Sequence, residues 1–131
     1  MTVGRFSDAP RILVVEDESI VAMMVEDMLT DLGCVVVHVA ASVEAGLAVA
    51  TSPRVALDGA VLDVNLGGIK VFPVADALAA RGVPFIFATG YGATVVIARY
   101  PNTPVIAKPF DARQLMQALT AALEHGRDVS I

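Results

Sequence analysis

Short runs of uninterrupted apolar residues alternate along the chain with longer segments in which apolar residues recur every three or four positions. Uninterrupted runs are typical of strands buried on both faces of a parallel sheet, and the recurring pattern is typical of amphipathic helices. The predicted strands cover residues 11–15, 34–39, 58–62, 84–88 and 105–107. The predicted helices cover residues 19–32, 42–51, 73–81, 93–99 and 111–124. The pattern therefore predicts successive strand–helix units.

Strand–helix alternation of this kind predicts an α/β fold with a doubly wound parallel sheet, because right-handed crossovers place helices on both faces. At this chain length we expect the flavodoxin-like (βα)5 arrangement with strand order 2-1-3-4-5. The first and third strands are then neighbours at the point where the chain reverses direction. Residues 1–10 are expected to form an N-terminal tail, residues 11–124 one domain, and residues 125–131 a C-terminal tail.

Residues that favour helix ends flank the predicted helices. Ser42 and Asp111 are expected to cap the N-termini of the second and last helices, since short polar side chains accept hydrogen bonds from the first turn. Pro73 suits the first turn of the third helix. Gly33 and Gly82 are expected to end the first and third helices.

Polar residues directly follow four of the predicted strands. Glu16 and Asp17 follow the first strand, Asp63 the third, Thr89 the fourth and Lys108 the fifth. Because the carboxyl ends of parallel strands converge on one rim of a sheet, these side chains are expected to share one acidic cleft. Crowded like charges are unfavourable without a compensating cation, so the cleft predicts a divalent metal site.

The expected chemistry is capture of a phosphoryl group by an aspartate. Asp63 is the candidate nucleophile, because a carboxylate can attack phosphorus and form an acyl phosphate. Mg²⁺ is the expected ion, since it prefers oxygen ligands. Its candidate ligands are Glu16, Asp17, Asp63 and the backbone carbonyl of Asn65.

Lys108 is expected to pair with one phosphoryl oxygen, and the Thr89 hydroxyl to donate to another. Each of these residues also has a purely structural interpretation. Asp63 alone could be a turn residue, Thr89 before Gly90 could start a turn, and Lys108 could be a solvated surface lysine. The agreement of acid pair, Asp, Thr and Lys at four strand ends favours the chemical interpretation.

Composition excludes several classes of function. The chain has 131 residues, enough for one domain with its own core, and a formal net charge of −5. No basic stripe is present, so nucleic-acid binding is not expected. The single Cys34 excludes an internal disulfide, and no apolar stretch is long enough to span a membrane. A cytoplasmic protein is therefore expected.

Residues 11–124 resemble the receiver domains of two-component response regulators. The resemblance rests on the segments ILVVEDE, AVLDVNLGG, FIFATGYG and VIAKPF. It implies that Asp63 accepts a phosphoryl group from a sensor histidine kinase or a histidine phosphotransferase. It also implies a Mg²⁺ cofactor on the same oxygen ligands as above.

The resemblance assigns further roles around the cleft. It implies that Thr89 carries the switch hydroxyl, that Gly90 belongs to the same switch loop, and that Lys108 contacts the phosphoryl group. It also implies a cis peptide bond between Lys108 and Pro109, which is permissible because cis bonds are almost confined to proline.

The segment PFIFATGYG is similar to the motif of the "FATGUY" subgroup of stand-alone receivers of alphaproteobacteria. That resemblance implies a role in general stress signalling and phosphorelays. It also implies that the partner histidine kinases include kinases of the HWE type.

Val105 departs from the receiver pattern, which usually has Tyr or Phe three residues before the lysine. In receivers the movement of the switch hydroxyl is coupled to rotation of that ring, and valine cannot report it. We hypothesise that Tyr91, two residues after Thr89, replaces the missing ring. An ordinary half-exposed loop tyrosine is the alternative.

The loop after Asp63 also departs from the pattern. Gly67 and Gly68 replace the usual proline, so a mobile loop and weak Mg²⁺ affinity without phosphate are expected. Asn65 and Tyr91 are expected to flank the route of a hydrolytic water. A bulky Tyr91 ring should obstruct that water, whereas Asn65 could help to orient it, and the sequence leaves the sign of the net effect open.

Two segments are candidates for contacts with partners. The first helix carries Met23, Met24 and Met28, which suit a variable protein surface, although at least two of them are expected to fill the core. In receivers the first helix and the loop after the fifth strand usually meet the kinase. Residues 93–99 are apolar for a helix at a signalling face and predict a weak homodimer.

The leading hypothesis is a single-domain response regulator that signals by protein contact and is not an enzyme. A phosphate-independent pseudo-receiver is the first alternative, and the complete set of site residues argues against it. A phosphatase of the haloacid dehalogenase type is the second alternative. That type requires Asp-x-Asp after its first strand, where this chain has EDES.

Overall fold

The computed structural model describes residues 4–90 and 93–129. The strands are β1 (Arg11–Val15), β2 (Val35–Ala40), β3 (Gly59–Asp63), β4 (Asn65–Leu66), β5 (Ile69–Lys70), β6 (Phe85–Thr89) and β7 (Val105–Ala107). The helices are α1 (Ser19–Asp31), α2 (Val43–Ala50), α3 (Phe72–Ala80), α4 (Ala93–Arg99) and α5 (Ala112–Val129). The predicted strands and helices are all present, with shifts of one residue at most of their boundaries.

Five parallel strands form one sheet in the order β2-β1-β3-β6-β7. With the short β4–β5 hairpin set aside, this is the predicted order 2-1-3-4-5, and the flavodoxin-like fold is confirmed. The central strand β3 pairs with β1 on one side and β6 on the other, so that Asp63 lies opposite Ala88. This register brings the carboxyl ends of the central strands to one rim.

Two apolar layers hold the helices against the sheet. Alternate strand residues point to opposite faces, so that β1 sends Leu13 and Val15 to one layer and Ile12 and Val14 to the other. The first layer receives apolar residues of α2, α3 and α4, and the second those of α1 and α5. Burial on both faces explains why the strands are uninterrupted apolar runs.

The predicted helix caps are confirmed. The Ser42 hydroxyl accepts a hydrogen bond from the Ala45 amide at 3.1 Å. Asp111 and Gln114 form a reciprocal capping box, in which each side chain accepts from the other's amide at 2.9 Å. Gly82 follows α3 with φ +74°, a left-handed conformation that side chains disfavour.

The structure changes the prediction in the loop after β3. Asn65–Leu66 and Ile69–Lys70 pair as an antiparallel hairpin, and Gly67 and Gly68 form its two-residue turn with φ +59° and +88°. Two consecutive glycines with positive φ are typical of the turns that close such hairpins. The loop therefore contains a short antiparallel pairing, and its mobility stays a prediction.

Both predicted tails contain structure. The last helix continues through residues 125–129, which were expected to lie in the C-terminal tail. At the other end, the Phe6 amide donates to the Leu32 carbonyl at 2.7 Å, and the Phe6 ring packs against the α1–α5 layer. The N-terminal segment therefore crosses the end of α1 instead of extending freely. The limits of the domain remain a prediction.

The expectation that two of the three α1 methionines fill the core is wrong. Met23 and Met24 are exposed, and only Met28 packs partly against the core. The buried face of α1 consists of Ala22, Val25 and Leu29. Among the described residues, no helix is both long and apolar enough to cross a membrane.

Gly33 offers a test of the contact with the N-terminal segment. Its φ is +90°, and a Cβ at this position would lie 2.5 Å from the Phe6 carbonyl oxygen. Gly82 is the matched control, because its φ is +74° but no heavy atom lies within 4 Å of its Cβ position. We expect Gly82→Ala to cost ~1–2 kcal/mol of backbone strain in urea unfolding. Gly33→Ala should cost clearly more, and equal losses would contradict the contact.

Candidate functional site

The predicted site residues lie together at the carboxyl rim of the sheet. Glu16 and Asp17 follow β1, Asp63 ends β3, Thr89 ends β6 and Lys108 follows β7. Backbone hydrogen bonds fix this rim, since the Lys108 amide donates to the Thr89 carbonyl at 2.9 Å. The parallel register therefore brings residues from distant parts of the chain into one cleft.

Lys108 is the cation at the centre of this cleft. Its Nζ lies 2.5 Å from Glu16 Oε1 and 3.3 Å from Asp63 Oδ2. The side chains of Glu16 and Asp63 are only 4% and 8% exposed. Charges removed from water to this degree require a partner of opposite sign, and Lys108 serves both carboxylates.

The crowding of the carboxylates appears in the pKa of Glu16. Burial, followed by the hydrogen bond and charge of Asp63, raises the pKa of Glu16 from 4.5 to about 7, although Lys108 opposes the rise. Burial lowers the pKa of Lys108, but its contacts with Glu16 and Asp63 outweigh burial, and the net pKa is raised. The cleft therefore has an excess of negative charge that one ammonium does not cancel.

A metal ion fits the acidic end of the cleft. Carboxylate oxygens of Glu16, Asp17 and Glu18 lie within 4.8 Å of one another. Hard carboxylate oxygens are the donors that Mg²⁺ prefers. Asp63 adjoins this group through Glu16, as its effect on the Glu16 pKa shows. Sequence analysis did not include Glu18, although its place in the acidic run EDE could have indicated it.

The β4–β5 hairpin lies beside the acidic residues of the cleft. The Gly67 amide donates to Asp17 Oδ2 at 2.9 Å, and the Asn65 amide donates to Asp63 Oδ1 at 3.3 Å. Lys70 Nζ donates to Asn65 Oδ1 at 2.9 Å. The hairpin therefore contacts two acidic residues of the cleft, Asp17 after β1 and Asp63 at the end of β3. Lys70 was not among the predicted site residues.

The remaining predicted residues lie along the rim. Thr89 is buried, and Gly90 after it is exposed, with open space at its Cβ position. The peptide bond between Lys108 and Pro109 is cis, as the family resemblance implied. Tyr91, the proposed replacement for the missing ring, lies outside the described residues.

Val105 packs beside an aromatic cluster that sequence analysis missed. Its side chain packs against the apolar layer between the sheet and helices α2, α3 and α4, and Tyr100 packs against the same layer. The Tyr100 ring lies 5.4 Å from the Phe85 ring and 5.6 Å from the Phe87 ring, and its hydroxyl donates to Asp76 on α3. Tyr100 therefore connects the end of α4 to both β6 and α3.

A family model described as the response regulator receiver domain matches residues 12–120. The chain belongs to the response regulator receiver domain family. Receiver domains are phosphoacceptor signalling domains rather than enzymes, and they generally use Mg²⁺ at an acidic phosphorylation site. The alternative of a haloacid dehalogenase-type phosphatase has no support from this family.

Solved structures agree with this assignment. SdrG from Sphingomonas melonis Fr1 is 45% identical, with coverage of 90% of this chain and 99% of that chain and a TM-score of 0.76. A response regulator receiver protein from Sinorhizobium medicae WSM419 is 27% identical, with coverage of 91% and 98% and a TM-score of 0.81.

The response regulator PhyR from Brucella abortus is 25% identical, and this receiver domain matches about half of it, with coverage of 93% of this chain and 51% of that chain and a TM-score of 0.80. No curated protein sequence matches.

The raised Glu16 pKa predicts a pH dependence of stability. Because the folded protein holds this proton more tightly than the unfolded chain, Glu16 contributes stability fully below pH 4.5 and loses it as pH rises through about 7. Urea unfolding of metal-free protein at about pH 5 and about pH 8 should show a larger loss for the unsubstituted chain than for Glu16→Gln. The exposed Glu26→Gln is the control, and parallel profiles for all three would contradict the assignment.

Proposed function

We propose that this receiver is a single-domain response regulator of a cytoplasmic phosphorelay. Asp63 accepts a phosphoryl group from a phosphohistidine of a sensor kinase or a histidine phosphotransferase, and the phosphorylated protein acts through protein contacts. The observation that carries the proposal is the placement of Asp63 between a lysine and an acidic cluster. Lys108 Nζ lies 3.3 Å from Asp63 Oδ2, and Asp63 interacts with Glu16, whose carboxylate lies within 4.8 Å of those of Asp17 and Glu18.

The transfer is a displacement at phosphorus. An oxygen of Asp63 forms the new P–O bond, the P–N bond to histidine breaks, and the imidazole nitrogen keeps the electron pair and takes up a proton. Mg²⁺ held by the acidic cluster would offset the charge of the incoming phosphoryl oxygens.

Lys108 and Thr89 act on the transferred group. Lys108 exchanges its contact with a carboxylate for a phosphoryl oxygen, and the Thr89 hydroxyl donates to another. When Lys108 leaves Glu16, the buried Glu16 carboxylate loses its cation. A bound metal ion would compensate that charge, so a metal ion and a phosphoryl group together favour the movement of Lys108 to the phosphoryl oxygen.

The partner surface proposed for the histidine protein is α1 with the loop after β7. Ile20 and Met23 are 74% and 63% exposed on α1, beside the acidic cluster. An apolar groove of about 290 Å³ continues this surface toward the site. Its lining residues are Val21, Met24, Val25, Met28, Lys108, Pro109 and Phe110. A protein that binds in this groove would bring its phosphohistidine close to Lys108, which contacts Asp63.

The motif PFIFATGYG supports membership of the FATGUY subgroup, and with it a role in general stress signalling with kinases of the HWE type. The FATGUY subgroup and the role in stress signalling are both part of the proposal. The weak homodimer through the α4 face is also a proposal, and Val95, which is 47% exposed there, provides an apolar contact.

Phosphorylation of Asp63 is the decisive test. With a small phosphodonor and Mg²⁺, the intact chain should gain the mass of one phosphoryl group in a hydroxylamine-sensitive form, because acyl phosphates are labile. Asp63→Asn should gain none, and the exposed Asp31→Asn should behave like the unsubstituted chain. No adduct on the unsubstituted chain would contradict the proposal and favour a phosphate-independent pseudo-receiver.

The Tyr91 hypothesis predicts a loss of coupling. With Mg²⁺ and the phosphoryl analogue beryllofluoride, Tyr91→Ala should bind the analogue but show a smaller amide spectral change in α4 than the unsubstituted chain, since the ring that transmits the change is absent. Tyr91→Phe is the matched control and should retain the response. An unchanged response in Tyr91→Ala would contradict the hypothesis.

A further inference from the structure

Lys70 and Asn65 lie directly opposite each other in the β4–β5 hairpin. Opposite residues of an antiparallel pair place their side chains on the same face, and Lys70 Nζ reaches Asn65 Oδ1 at 2.9 Å. The backbone N–H of Asn65 donates to Asp63 Oδ1 at 3.3 Å. The backbone contact therefore places residue 65 next to the phosphorylation site, and the contact with Lys70 sets the orientation of the Asn65 side chain.

The acyl phosphate proposed above is lost by hydrolysis. A water oxygen forms a bond to phosphorus, the P–O bond to Asp63 breaks, and the electron pair returns to the carboxylate while the water proton passes to solvent. A neighbouring hydrogen-bond acceptor promotes this attack, because it takes a water hydrogen and leaves the oxygen lone pair toward phosphorus. The side-chain oxygen of Asn65, two residues beyond Asp63, is such an acceptor.

Lys70 orients that acceptor toward itself. Its ammonium binds one lone pair of the Asn65 side-chain oxygen, so this oxygen faces Lys70 and the NH₂ end of the side-chain amide is left for other partners. An NH₂ group donates to the lone pair of a water and does not take its hydrogen. The amide in this orientation therefore hinders the attack of water instead of promoting it.

We propose that Lys70 is a positioning residue that prolongs the phosphorylated state by holding the Asn65 amide with its oxygen away from the attacking water. The proposal rests on phosphorylation of Asp63. It assigns to Asn65 a hindering effect, in contrast to the expectation that Asn65 helps to orient the water, and it places control of the phosphoryl lifetime on the hairpin.

The test measures the rate of phosphoryl loss after the donor is removed from phosphorylated protein. Lys70→Ala should lose the group roughly three to ten times faster, the range that one hydrogen bond of ordinary net strength allows. Lys70→Arg keeps a charged donor and should restore the slow rate. Arg54→Ala, an exposed charge in the connection before β3, is the control for loss of a surface cation.

A double-mutant cycle separates positioning from simple charge. If Lys70 acts through Asn65, Lys70→Ala should have no effect on the rate in an Asn65→Ala background. An equal acceleration in both backgrounds would show that the ammonium acts as a charge and would overturn the proposal. An unchanged rate in Lys70→Ala alone would overturn it as well.

A second measurement does not depend on phosphorylation. In the unphosphorylated protein, the Asn65 side-chain NH₂ resonances should shift in Lys70→Ala and stay in place in Lys70→Arg. No shift in Lys70→Ala would remove the contact and the inference, while the proposed function would stand. Absence of any adduct on the unsubstituted chain would instead overturn the proposed function and the inference together.

Discussion

The balance of charge at the carboxyl rim is the constraint on which this receiver depends. Two carboxylates from neighbouring strands, Glu16 and Asp63, are almost completely buried, and Lys108 contacts both. Burial of like charges is unfavourable, and the raised pKa of Glu16 records this cost. Receiver domains generally use Mg²⁺ at such an acidic site, and a divalent ion here would offset the excess of negative charge.

The fold supplies this arrangement through register. Parallel pairing places Asp63 opposite Ala88, and the amide of Lys108 against the carbonyl of Thr89. The backbone hydrogen bonds of the sheet fix the positions of these residues, so their contacts do not depend on long flexible side chains. The central strands are buried on both faces, whereas the hairpin beside the rim is only two residue pairs long.

The sequence predicted the sheet order and most of the rim because uninterrupted apolar runs identify buried strands and their ends. It did not predict the hairpin, since Asn65–Leu66 and Ile69–Lys70 are too short to show a period. It also misplaced Met23 and Met24, because the apolar face of α1 is wider than the stripe that contacts the sheet. The partners of Lys70 and Tyr100 depend on cross-strand register and on the position of α4, and neither follows from local pattern.

Beside Val105, Tyr100 forms an aromatic contact between β6 and the end of α4, separate from the coupling hypothesised for Tyr91. Its ring packs on Phe85 and Phe87 of β6, the strand that ends in Thr89, and its amide donates to the Val96 carbonyl at 2.7 Å. A displacement at the end of β6 therefore meets α4 through close-packed aromatic contacts, and packed cores respond to such shifts by rearranging rather than by deforming. The Tyr100 hydroxyl donates to Asp76 on α3, so Tyr100 also connects the end of α4 to α3.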